Sequence, residues 1–114
     1  MLVNDIWGGD PLTHMEPFWE HSLDDGLALL EQGLGTHILT SWHAAPLMVR
    51  RGGGLIVELT DGIQQSYRGT LFYDLVKMGV IRFAYDQAQD LKEHGVAAVA
   101  VTPGAHPGLS LIHI

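Results

Sequence analysis

Residues 71–104 read LFYDLVKMGVIRFAYDQAQDLKEHGVAAVAVTPG, and this stretch decides the fold. Leu75, Val76, Gly79, Val80, Phe83, Ala84, Ala88 and Leu91 recur at helical spacing and make a wide stripe of apolar and small residues. The spacing predicts a helix over about 71–93. His94 sits near its negative end and Gly95 at the position after its cap, which together make a good stop. VAAVAVTPG then reads as a buried strand that ends in a Pro-Gly turn.

The same alternation extends upstream. GLIVEL (54–59) is short, β-branched and apolar apart from Glu58, as expected of a buried parallel strand. A polar loop over 61–70 joins it to the helix. Ser22 offers an N-cap, with Asp24 and Asp25 in the first turn, where carboxylates suit the helix dipole. Leu23, Leu27, Leu30, Leu34 and Ile38 carry the helical period from there to about Met48. Pro46 is expected to disturb the last turns and RRGGG to end them. MLVNDI (1–6) reads as a short buried strand, and residues 7–21 as an aromatic-rich loop.

The order is strand, helix, strand, helix, strand. Long apolar strands separated by amphipathic helices imply an α/β fold with parallel strands and right-handed crossovers. Ligands of such sheets bind beyond the carboxyl ends of the strands. Those ends are Asn4–Trp7, Thr60–Asp61 and Thr102–Gly104, and the start of the second helix, with Tyr73 and Lys77, lies on the same side.

Composition narrows the function. The chain has 114 residues, 46% hydrophobic and 17% charged, enough for one small globular domain. A net charge of −7 argues against unspecific binding to nucleic acid or anionic membranes. No apolar run is long enough to cross a bilayer. Cys is absent, which removes disulfides and thiolate chemistry and fits a cytoplasmic protein. The seven His residues are scattered, without tight ligand spacing, so no metal site is expected.

Tyr73 and Lys77 stand four apart, one above the other on a helix. A free phenol has a pKa of about 10 and is a poor base at neutral pH. A nearby ammonium favours the phenolate and lowers that value. The pair then makes an acid/base suited to carbonyl reduction or alcohol oxidation, with hydride from a cofactor. The plain alternative is a ring packed under a snorkelling lysine stem.

Taken in order, LVNDIWGG, GGGLIVELTDG, YDLVK and HGVAAVAVTPG resemble the short-chain dehydrogenase/reductase family: its Asn-Asn-Ala-Gly strand end, its serine-bearing strand, its Tyr-x-x-x-Lys motif and its last core strand. The resemblance covers about residues 1–105. It implies the C-terminal half of a Rossmann-type, three-layer, doubly wound sheet, NAD or NADP as cofactor, and a small carbonyl or alcohol substrate. Carried over by position, Tyr73 would be the acid/base, and Lys77 would lower its pKa and bind the nicotinamide ribose. Asn4 would brace the sheet, and Pro103 and Gly104 would border the nicotinamide. The family serine falls on Thr60 or Asp61. Thr60, with its hydroxyl, is the preferred reading, since an ionised Asp61 only accepts hydrogen bonds. The helix asparagine of the family falls at about Gly33, which leaves its relay to water or to His37. The two helices would form a homo-oligomer interface.

The family's glycine-rich phosphate turn has no match here, and AHPGLSLIHI replaces the segment that follows Pro-Gly. Residues 106–114 are therefore expected to be a non-native or disordered tail. The chain is expected to be an inactive fragment that binds dinucleotide weakly. A non-catalytic binding or scaffold protein of the same fold is the alternative. Trp7, Phe18 and Trp19 are read as pocket lining or as packing over the sheet, and Asp86, Asp90 and Glu93 as a solvated helix face.

Overall fold

The computed structural model describes residues 1–61, 67, 70–103 and 109–112. The predicted α/β order is present. Strand β1 (Leu2–Asn4) leads through a loop to helix α1 (Leu23–Leu30), a π-helical turn (Glu31–Gly35) and helix α2 (Thr36–Arg51). Strand β2 (Gly54–Leu59), helix α3 (Leu71–Leu91) and strand β3 (Val96–Pro103) follow. Strand β4 (Leu109–Ile112) lies within the stretch read as a tail. The sheet order is β1-β2-β3-β4, with the first three parallel and β4 antiparallel to β3.

Local chemistry explains where the elements begin and end. The Ser22 side chain accepts a hydrogen bond from the Asp25 N–H and caps α1 as expected. The single helix expected over 22–48 is two helices joined by the π-helical turn, and it runs on to Arg51. Pro46 lies inside α2 without ending it. Ala45, Met48 and Val49 press against Ile56 and Leu91, and that burial offsets the missing backbone bond. Gly52, at φ 84°, then takes the left-handed conformation that ends α2, and its N–H reaches back to the carbonyls of Met48 and Val49. Helix α3 ends in a 3₁₀ turn (Lys92–His94), with Gly95 left-handed behind it, as the sequence implies.

Side chains alternate across the sheet. Ile56 and Glu58 face the helices, together with their register partners Ala98 and Ala100. Glu58 meets His37 and Ser41 of α2 and Gln87 of α3, so both helices cover the same face. The described residues thus show two of the three expected layers, the sheet and the helices on one face of it. Crossovers of one hand that advance in one direction leave their helices on one side. Leu55, Val57 and Val99 belong to the opposite face and are partly exposed.

Candidate functional site

The loop after β1, the end of β2 and the first turns of α3 meet at the carboxyl edge of the sheet. They enclose a cavity of about 440 Å³ lined by Asp5, Ile6, Trp7, Asp10, Leu59, Thr60, Asp61, Tyr73 and Lys77. Tyr73 and Lys77, one turn apart on α3, both face it.

Asp61 stands between them. The Tyr73 hydroxyl donates to Oδ2 of Asp61, and the Lys77 ammonium lies 3.5 Å from Oδ1. The ammonium also sits 3.6 Å above the Trp7 ring and 5.5 Å from the Tyr73 ring centre. Trp7 meets Tyr73 edge-to-face at 5.6 Å, and its indole N–H donates to Asp10 at 2.7 Å. The Lys77 side chain is only 12% exposed. Burial pushes its pKa below the ordinary lysine value, against the pull of Asp61 and, farther off, Asp10 and Asp5.

The other predicted residues have different surroundings. The Thr60 hydroxyl donates to the Lys77 carbonyl at 2.8 Å, and its N–H bonds Val101 at 3.0 Å. Thr60 therefore ties the end of β2 to α3, while Asp61 holds the side chains of Tyr73 and Lys77. Asn4 is buried, and its amide reaches the His37 carbonyl at 3.4 Å, which ties β1 to α2. Pro103 ends β3. Gly104 lies outside the described residues.

Gly33 is packed shut. A Cβ built there would fall 2.5 Å from Val76 Cγ1 and 2.9 Å from the Trp7 ring, so no asparagine fits in this packing. His37 does not replace one, because its ring turns to Glu58, 2.5 Å away, and not to the cavity. Trp7 lines the cavity, whereas Phe18 and Trp19 are 53% and 73% exposed and pack on each other. Sequence reasoning overlooked Asp10 altogether. Its signal was weak: one acidic residue after a glycine pair in an irregular loop. Among the described residues no cluster of His, Asp or Glu suited to a metal ion occurs, and no helix is long and apolar enough to cross a membrane.

The cavity suits the nicotinamide end of a dinucleotide better than the phosphate end. Lys77 and Tyr73 present an ammonium and a hydroxyl that could hold a ribose, and the Trp7 ring presents an aromatic face. Among the described residues, three carboxylates against one ammonium favour a pyridinium over a pyrophosphate.

The short chain dehydrogenase family model matches residues 4–107. Dehydrogenase/reductase SDR family member 1 of Homo sapiens is 32% identical over 107 residues, and the protein of that name in Mus musculus is 34% identical over 109. Each match takes in 91% of this chain but 34% of the relative, so the chain spans about a third of their length. Among solved structures, acetoin dehydrogenase from Enterobacter cloacae superposes with a TM-score of 0.78 at 26% identity, covering 93% of this chain and 42% of that one. A metagenomic short-chain oxidoreductase in complex with NADP gives 0.81 at 22% identity, covering 93% of this chain and 47% of that one. With the match running through the end of β1, the Tyr73–Lys77 turn and the end of β3, this chain belongs to the short-chain dehydrogenase family.

Proposed function

We propose that this chain carries the acid/base centre of an NAD(P)-dependent oxidoreductase that interconverts a small carbonyl compound and its alcohol. Tyr73 exchanges the proton with substrate, and Lys77 holds the ribose and biases the phenol. A bound nicotinamide would supply or accept the hydride, which no side chain can do. Asn4 secures the end of β1 beneath the site, and Trp7 keeps water from one side of the cavity. The observation that carries this reading is the convergence of Tyr73 and Lys77 on one cavity at the carboxyl edge of the sheet. Replacing Tyr73 with Phe in the intact protein is expected to abolish turnover while dinucleotide still binds. Unchanged turnover would refute the role.

The glycine-rich turn that cradles a pyrophosphate has no match in these 114 residues, so dinucleotide binding by this chain alone is expected to be weak and turnover absent. Titration with NADPH, followed by nicotinamide fluorescence, tests this, and micromolar affinity would contradict it. We also propose homo-oligomerisation through the two helices. Supporting it are Ile38, Leu39 and Trp42 of α2, which are 43%, 60% and 69% exposed.

A second reading is a non-catalytic binding protein of the same fold. Asp61 beside Tyr73, where a hydroxyl would better polarise a carbonyl, is the observation that favours it. On that reading no turnover exists for the Tyr73→Phe change to remove.

A further inference from the structure

We infer that Trp7, held by Asp10, is the positioning residue for Lys77: the indole fixes the ammonium over its face, so that a ribose meets a donor already in place. The inference rests on the proposed redox site and names the residues that hold its lysine.

Lysine carries its charge on a flexible four-carbon stem and gives up much rotamer freedom when it is held in one place. Its ion pair with Asp61, at 3.5 Å, is longer than a charge-assisted hydrogen bond and does not fix the ammonium by itself. The second contact is the Trp7 face, 3.6 Å away. The Lys77 side chain is nearly buried, so water competes little with that face for the cation. An ammonium has three donors, and contacts with one carboxylate and one ring still leave a donor for a ribose hydroxyl.

The indole is itself fixed on several sides. Its N–H donates to Asp10 at 2.7 Å, and its edge meets the Tyr73 ring at 5.6 Å between centres. Asp10 sits in a short 3₁₀ turn that sets its backbone: the Leu12 N–H reaches the Gly9 carbonyl at 2.9 Å, and the Thr13 N–H reaches the Asp10 carbonyl at 3.2 Å. The ring also fills space that two glycines leave open. A Cβ at Gly9 would fall 2.6 Å from Cη2 of the indole, and one at Gly33 would fall 2.9 Å from Cζ3. A ring so enclosed cannot turn its face away from Lys77 without moving backbone. The carboxylate adds a second effect. A charged acceptor on the indole N–H polarises the ring, makes its face more negative and so strengthens its hold on a cation. Asp10 thus acts on Lys77 through Trp7.

The test is NMR of the full chain labelled with ¹³C in lysine. Lys77 and Lys92 are its two lysines, so two sets of signals arise, and Lys92→Arg assigns them. The ring current above an indole face shifts protons upfield. The ε-methylene of Lys77 is expected upfield of that of Lys92, with slower side-chain motion in ¹³C relaxation. Trp7→Leu is expected to bring both readouts to the Lys92 values, and Trp7→Phe, which restores a ring face, to recover part of the shift. Asp10→Ala is expected to lose about half of the shift or more, and Asp10→Asn, which keeps an acceptor for the indole N–H, to keep most of it. A Lys77 signal like that of Lys92 in the wild type, or an unchanged one in folded Trp7→Leu or Asp10→Ala, would overturn the inference. The wild-type comparison decides even if no variant folds. These signals are read without cofactor or turnover. A Lys77 held by Trp7 in a protein whose turnover ignores Tyr73→Phe would keep this inference and refute the catalytic one.

Discussion

At the scale of single residues, Lys77 has the most at stake. Its ammonium is buried and its pKa depressed, so the folded state binds this proton less tightly than the unfolded chain does. Below the folded pKa both states are charged, and folding bears the full desolvation cost. As pH rises from that value towards 10.5, the unfolded chain holds more protons and the cost is relieved. Stability from this group therefore rises through that alkaline window. Urea melts at stepped alkaline pH should show the rise in wild type and lose it in Lys77→Met. Gly33 is the opposite case, a position defined by lack of space. Gly33→Ala would press on Val76 and Trp7 and should cost about 1–3 kcal/mol in the same melts. The Tyr73–Lys77 pair was legible because helical spacing alone brings two such residues together. The choice between Thr60 and Asp61 was not, since a one-residue step at a strand end turns the side chain the other way. The loop carboxylate Asp10 escaped because irregular backbone has no period from which to place it.

At the scale of elements, β2 holds the two helices through one buried carboxylate. Glu58 is fully buried and accepts from Ser41 at 2.6 Å and Gln87 at 3.1 Å, with the His37 ring at 2.5 Å. Read from sequence, Glu58 was a blemish in an apolar strand, and its three partners lie 17, 21 and 29 residues away, beyond any local pattern. A buried carboxylate stripped of one partner is costly, whereas removing both partners costs much less. His37→Leu alone is expected to destabilise by about 3–5 kcal/mol, and adding Glu58→Leu to recover part of that loss. Chemical denaturation of the two single variants and the double variant checks the sign of the coupling. Additive losses would mean that the network does not act as a unit. Element order, by contrast, was readable throughout, because strand and helix periods differ and glycines mark the ends. The π-helical turn at Glu31–Gly35 was hidden, since its one extra residue per turn barely disturbs the apolar period.

At the scale of the whole molecule, one face of the sheet has both helices and the other has no covering element among the described residues. Val3 is 50% exposed, and Leu55, Val57, Leu59 and Val99 are partly exposed behind it. The strand pairings place Val3 beside Val57 and Val57 beside Val99, so these side chains form a continuous apolar row. Monomeric proteins seldom leave such a surface in water. The same row lies on the strands whose ends carry Asp61 and the Trp7 loop, so whatever covers it also stiffens the site. The chain on its own should therefore associate with itself as concentration rises, through this face as well as through the exposed residues of α2. Val57→Lys places a charge at the centre of the row without touching the helix side, where Glu58 and Ile56 make the core contacts. Sedimentation velocity over a hundred-fold concentration range separates the two surfaces. A wild type that stays monomeric would refute association altogether. A Val57→Lys variant that associates as strongly as wild type, while Trp42→Lys does not, would assign it to the helices alone.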